Sequence, residues 1–277
     1  MPKAGKSDKA AEAGGRLERR GSGHRGLFVN SIQKGFTVLN AFSRERPRLT
    51  LAAITASTGL DKSAAQRFVY TLHELGLLRK DEETKQYSLS PRLLEFAYAY
   101  IYSDGLIERA QPFLVEAHER TGETVNLFVL DGNDIILVSR IPGRNVVSLN
   151  IQVGLRMPAL YSATGRVIAS RLPPEQRQAL LRETSYHAHT PQSVTDRAEM
   201  TALVEKAGKD GYSITCSQWF TGDVSVGAAI VDGSGRVVGA VSTSAPDRDM
   251  KVADARKKLV PATVEAARKI SVAMGAY

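Results

Sequence analysis

Two groups of side chains in this sequence have types and spacings that could do chemistry. The first is Lys62, Ser63, Gln66, Arg67 and Tyr70, which share one side of a helix while Ala65, Phe68, Val69, Leu72 and Leu75 share the other. Arginine can pair bidentately with guanine and glutamine with adenine, and lysine and serine suit phosphate or mixed contacts. Such a face can read base edges in a major groove, although a plainly solvated helix face has the same composition. The second group is Cys216 with His187 and His189, the parts of a nucleophile and base. Neither histidine lies in a recognisable local signature, and one cysteine among apolar strands is more often a small core residue. The His-Ala-His run supplies two metal ligands where a structural zinc site wants four. No G-x-S-x-G elbow, phosphate loop or dinucleotide fingerprint occurs. The sequence therefore assigns no catalytic residue, no metal and no cofactor.

The elements that must position the first group can be read from caps and breakers. Ile32, Phe36, Leu39 and Phe42 repeat at helical spacing after Asn30 or Ser31, giving a first helix with one apolar face. Thr50 is a good N-cap for LAAITAS, which stops at Gly59, and Asp61 caps a helix from Lys62 to about Leu75. Two short helices around a tight turn make a helix-turn-helix. LLRKDEETKQYSLS then reads as two strands joined by a charged turn, a wing that carries Lys85. Thr50 and Lys85 complete the candidate DNA contacts. Pro91 starts RLLEFAYAYIYS, whose Leu94, Phe96, Tyr98 and Ile101 are too apolar for an exposed linker, so this helix is expected to pack on a second subunit.

From Gly105 the pattern becomes mixed α+β. A helix is expected over 106–121, then strands TVNLFVLDG and DIILVSRIPG around a Gly-Asn turn, and a third strand VVSLNIQV. Helices follow at 164–172, 174–183 and 197–209, then strands VSVGAAIVD and RVVGAVSTS around GSG, and a final helix from about Val252 to Met274 containing Pro261. The expected domains are a disordered basic arm over 1–26, a winged helix-turn-helix over 27–90, a linker helix over 91–104 and a ligand-binding domain over 105–277.

Composition agrees with two soluble domains. The chain has 277 residues, 43% of them hydrophobic and 24% charged. Its net charge is +8, and residues 1–103 hold seventeen Lys/Arg against ten Asp/Glu, so seven of the eight charges sit there. That imbalance points a polyanion at the N-terminal part. The single cysteine excludes an intramolecular disulfide framework and suits a reducing cytoplasmic location, and no apolar run is long enough for a membrane span.

The run SIQKGFTVLNAFSRERPRLTLAAITASTGLDKSAAQRFVYTLHELGLLRKDEETKQYSLSPRLLEFAYAYI resembles the DNA-binding half of IclR-family regulators. It is most similar to the branch controlling hydroxybenzoate and protocatechuate catabolism. LRMPALYSATGRVIAS resembles the family's proline-containing strand and small-residue helix start, and AAIVDGSGRVVGAVSTSAP resembles its closing hairpin. The resemblance implies a GAF-like α/β effector-binding domain and a dimer or dimer of dimers on a palindromic operator of double-stranded DNA. It also implies an effector pocket near Val146, Ala163, Thr164, Thr215, Ser225, Ser242 and Ser244.

A helix start with unpaired N–H groups can receive a carboxylate, and serine hydroxyls on adjacent strands can orient it. Ala163, Ser242 and Ser244 equally suit tight packing of helix on strand. The chain departs from the family where acidic residues are usual: TCSQWFTGD has neutral Ser217 and Gln218 and carries Trp219. A less acidic, more aromatic pocket suits an aromatic acid, with Arg156 and Tyr161 as further candidates for the acid and the ring. The expected function is a sequence-specific transcription regulator controlled by a small, aromatic organic acid. The competing class is a small-molecule sensor or enzyme whose basic N-terminus binds RNA or a protein.

Overall fold

The computed structural model describes residues 27–143 and 151–276. They fall into two units, one reaching Ile101 and the other starting at Tyr102. The expected arm over 1–26 lies outside the described residues.

In the first unit, α1 is Asn30–Leu39, β1 Leu49–Thr50, α2 Leu51–Thr58, α3 Lys62–Glu74, β2 Leu78–Lys80, β3 Gln86–Leu89 and α4 Leu93–Ser103. Side-chain caps set two of these starts. The Thr50 hydroxyl accepts from the Ala53 N–H at 3.2 Å, and the Asp61 carboxylate accepts from the Ala64 N–H at 2.8 Å. The strands form an antiparallel sheet in the order β1-β3-β2. Val38, Ala41, Phe42, Leu49, Ile54, Val69, Leu72 and Leu78 make the core, so the inner sides of α1, α2 and α3 close over the base of the wing.

The structure corrects the expected cap of α1 and shows how far two apolar stripes are buried. Ile32 and Phe36 are 60% and 51% exposed, and the buried side of α1 is its C-terminal end, at and beyond Val38. Periodicity reports an apolar stripe, not what the stripe packs on. Leu75 is 54% exposed because α3 has ended and Gly76 turns the chain. Neither Asn30 nor Ser31 caps α1: Val29 holds that position with no side-chain bond. On α4, Leu94, Phe96, Tyr98, Tyr100 and Tyr102 are exposed.

The second unit runs α5 (Gly105–Thr121), β4 (Thr124–Asp131), β5 (Asp134–Ile141), β6 (Arg156–Pro158), a 3-10 turn (Ala159–Tyr161), α6 (Ala163–Arg171), α7 (Pro174–Glu183), α8 (Arg197–Asp210), β7 (Ser213–Cys216), β8 (Asp223–Val231), β9 (Val237–Pro246) and α9 (Val252–Ala273). Its six strands pair antiparallel in the order β6-β5-β4-β9-β8-β7. The β4–β5 hairpin turns on Gly132-Asn133, with Gly132 at φ 65°, a conformation glycine adopts without strain.

Alternation along β8 sends Val224 and Val226 into a cluster with Ala255 and Leu259 of α9, and Asp223, Ser225 and Gly227 to the opposite face, against α6. The sheet is thus sandwiched, with α5 and α9 on one side and α6 on the other. Strand β7 was not anticipated. Of the third expected strand, 146–150 lie outside the described residues and 151–153 are not strand.

Candidate functional site

On α3 the side chains of Lys62, Ser63, Gln66, Arg67 and Tyr70 are all exposed, while Ala65, Val69 and Leu72 are buried. Among the described residues, no intramolecular hydrogen bond or ion pair engages the Lys62, Ser63, Gln66 or Arg67 side chain. Thr50 stands at the start of α2 with its hydroxyl acting as the cap. Lys85 sits in the wing turn at φ 56°, with its ammonium 3.2 Å from Glu82, which Lys80 also contacts at 2.9 Å. Arg44, Arg46 and Arg48, just before β1, are exposed as well. Sequence reasoning passed over them, although three arginines within five residues are a readable signal.

The second unit holds a small cavity between the sheet and α6, partly open to solvent. Seven of the expected pocket residues line it: Tyr161, Thr164, Thr215, Trp219, Ser225, Ser242 and Ser244. Ala163 is buried at the start of α6 without lining the cavity. Arg156 is placed elsewhere, its guanidinium paired with Asp131 and, at 3.1 Å, with Asp134. Val146 lies outside the described residues. The lining also includes Asn126, Phe128, Ile151, Leu155, Met157, Ser162, Gln218, Phe220 and Asp223. The signal for Asn126 was available: one amide stands in the middle of an otherwise apolar strand.

The sheet places the polar lining in rows. Asn126 pairs with Arg140 on β5 and with Ser242 on β9, and Ser242 pairs with Gly227 on β8. Side chains follow the row: Arg140 Nη1 donates to Asn126 Oδ1 at 3.0 Å, and Asn126 Nδ2 donates to Ser242 Oγ at 3.3 Å. The next row on the same face runs Ser244, Ser225, Thr215. Gly227 lets α6 come down on the sheet, since a Cβ there would stand 2.6 Å from the Thr164 nitrogen and from the Ala163 carbonyl carbon.

Behind the opposite wall, Arg166 is only 1% exposed. It donates to the Leu160 carbonyl at 2.8 Å and to Gln218 Oε1. Burial lowers its pKa to about 10 against the pull of Glu199, and among the described residues no carboxylate lies within salt-bridge distance of it. Burial also pushes the Asp223 carboxyl up to about 7, against the pull of Arg140 and with help from Asp247. Among the described residues, no Lys, Arg or His side chain lines the cavity.

His189 packs against the aromatic wall, and His187 packs on His189. The His189 ring lies 4.0 Å from Trp219 and 4.6 Å from Tyr161 between centroids, and burial lowers its pKa. Tyr161 donates to the Ser185 and His187 carbonyls at 3.2 and 3.1 Å. Burial raises the Cys216 thiol, the opposite of nucleophile activation. Among the described residues, no group of three or more His, Cys, Asp or Glu side chains is placed to hold a metal.

A winged helix-turn-helix with an open polar helix face, carried by the same chain as an α/β unit with its own cavity, defines the class of DNA-binding transcription regulators. Within that class the chain belongs to the IclR family: residues 98–272 match the bacterial transcriptional regulator IclR C-terminal family, and residues 31–82 match the IclR helix-turn-helix domain. It is 27% identical over 244 residues to the Pca regulon regulatory protein of Pseudomonas putida, covering 88% of this chain and 83% of that protein. Its structure is similar to that of a protein from Rhodococcus sp. RHA1, with TM-score 0.76, 31% identity and coverage of 89% and 98% of the two chains. An IclR homolog from Microbacterium hydrocarbonoxydans, solved with 4-hydroxybenzoate, shares the fold at TM-score 0.72 and 23% identity, over 88% and 98% of the chains.

Proposed function

We propose that this regulator acts in the cytoplasm as a homo-oligomer, without enzymatic activity, and that a small aromatic organic acid in the C-terminal cavity sets its affinity for a palindromic operator. The observation that carries the acid is the pair of arginines behind the cavity walls. Arg166 and Arg140 each give a donor to an amide oxygen, of Gln218 and Asn126, and among the described residues neither is in a salt bridge, although Glu199 and Asp223 act on them from further off. An amide whose oxygen faces a guanidinium has its N–H groups left for the cavity, so positive potential reaches the ligand through Gln218 and through the Asn126–Ser242 pair. Phe128, Tyr161, Trp219 and Phe220 supply faces for a ring.

On the DNA side, Gln66 and Arg67 read bases, Lys62, Ser63 and Tyr70 share the groove, and Thr50 and Lys85 hold phosphates from the start of α2 and from the wing. The exposed apolar residues of α1 and α4 form the contact between copies, which sets two recognition helices on one duplex. The effector acts by binding one arrangement of the oligomer more tightly than another.

The test is a binding titration of the purified protein against its own upstream intergenic DNA and a scrambled control, with and without a panel of aromatic carboxylates. Selective binding changed by one of the acids is expected. Selective binding indifferent to all of them removes the acid, and binding without preference removes the regulator.

A further inference from the structure

One ionisable group in the cavity has no part in holding the acid. Asp223 lines the cavity from the first residue of β8, and its carboxyl has no hydrogen-bond or ion-pair partner among the described residues. The charged and polar groups around it are turned to other partners. Arg140, from β5, is bonded to Asn126. The Ser217 hydroxyl, after β7, donates to Asp247, and Lys251, before α9, donates to the Asp247 carbonyl. Tyr161, facing from the 3-10 turn, is bonded to loop carbonyls. Cys216, one residue before Ser217, carries a thiol raised by burial. A half-buried carboxyl left this way is destabilising unless something in the cavity meets it.

Its place along the strand says what that is. Asp223, Ser225 and Gly227 share the cavity face of β8, and Gly227 stands in the row of Asn126 and Ser242, below the start of α6. Two steps of the strand alternation separate Asp223 from that row, about 13 Å between Cα atoms. A single ring with polar groups at opposite ends can bridge such a span with a hydrogen bond at each end. We propose that Asp223 is a specificity-determining residue that accepts the proton of a hydroxyl on the effector, so that the ligand is a hydroxy acid with its hydroxyl remote from its carboxylate. This rests on the organic-acid reading and refines it. A buried acceptor built for a hydroxyl penalises the analogue lacking it, because the acceptor is then left both dry and unpaired.

The experiment is calorimetric titration of the full-length protein with benzoate, 3-hydroxybenzoate and 4-hydroxybenzoate, repeated on Asp223→Leu and Asp223→Asn, with circular dichroism as the check of folding. One hydroxylated acid is expected to bind the wild type about 10- to 100-fold more tightly than benzoate. Asp223→Leu should erase that ratio, and Asp223→Asn, whose amide oxygen still accepts, should keep part of it. Equal binding of all three acids by the wild type overturns the proposal while leaving the acid reading in place. So does an unchanged ratio in a folded Asp223→Leu. If that variant does not fold, the wild-type ratio decides. Binding of none of the three overturns the proposal together with the aromatic-acid reading.

Discussion

Replacing Asp223 by asparagine should stabilise the C-terminal unit, by an amount that grows with pH. The Asp223 carboxyl sits near 7 in the folded chain against an ordinary value of 3.8. Below about pH 4 the group is protonated in both states and contributes nothing. Between the two values the unfolded chain has released the proton and the folded chain has kept it, so each step up in pH favours unfolding. Integrated from pH 5 to pH 8, the penalty on the wild type grows by about 3 kcal/mol, and the Asp223→Asn variant carries none of it. For a unit of this size that is a difference in Tm widening by about 6 to 12 °C over the same range. Thermal unfolding of both proteins at pH 5, 6, 7 and 8, followed by circular dichroism without ligand, measures it. Taking the difference between the two cancels every other titrating group. A Tm difference that stays constant with pH refutes a raised carboxyl. One that widens toward acid pH shows instead a carboxylate held down by Arg140.

Other expectations follow from the same structure. Gly227→Ala puts a methyl against the backbone of Ala163 and Thr164 and should cost about 3 kcal/mol, read as a lower Tm of the C-terminal unit. An unchanged Tm would mean that α6 is not seated as described. Arg67→Ala should weaken operator binding by about 1 to 3 kcal/mol and leave scrambled DNA nearly untouched. Equal loss on both in a mobility-shift titration makes Arg67 a phosphate contact only. Phe96→Glu with Tyr98→Glu should shift the protein toward monomer in sedimentation velocity, and an unchanged oligomer places the contact elsewhere.

Much of this architecture is local, and what is local was legible. The capped starts at Thr50 and Asp61, the charged wing turn and the Gly132-Asn133 hairpin are each decided by a few consecutive residues. What needed the sheet was not. The four residues of β7 are too short for a period, and pairing with β8 alone makes them a strand. Arg156 looked like a ligand contact because its partners, Asp131 and Asp134, approach only once β6 pairs with β5. Arg166 reads as an ordinary helical arginine, yet it is among the most deeply buried side chains of the unit. Asp223 reads as a turn residue after Thr-Gly, because strand alternation cannot tell which face holds a cavity. The aromatic wall was partly visible in Tyr161 and Trp219, whereas Phe128 and Phe220 looked like any core residue.

The strand order also sets a sequence of events during synthesis. Strand β4 cannot complete its pairing until β9 has been made, and the Asn126–Ser242 hydrogen bond joins residues 116 positions apart. The helices and wing of the first unit, by contrast, need only partners up to Leu89. Domains tend to fold as they emerge, and long-range strand pairing is slow. A ribosome that has finished the DNA-reading unit can therefore carry it folded before any strand of the cavity has been made. Every molecule passes through an interval in which its first unit is complete and its ligand site does not yet exist.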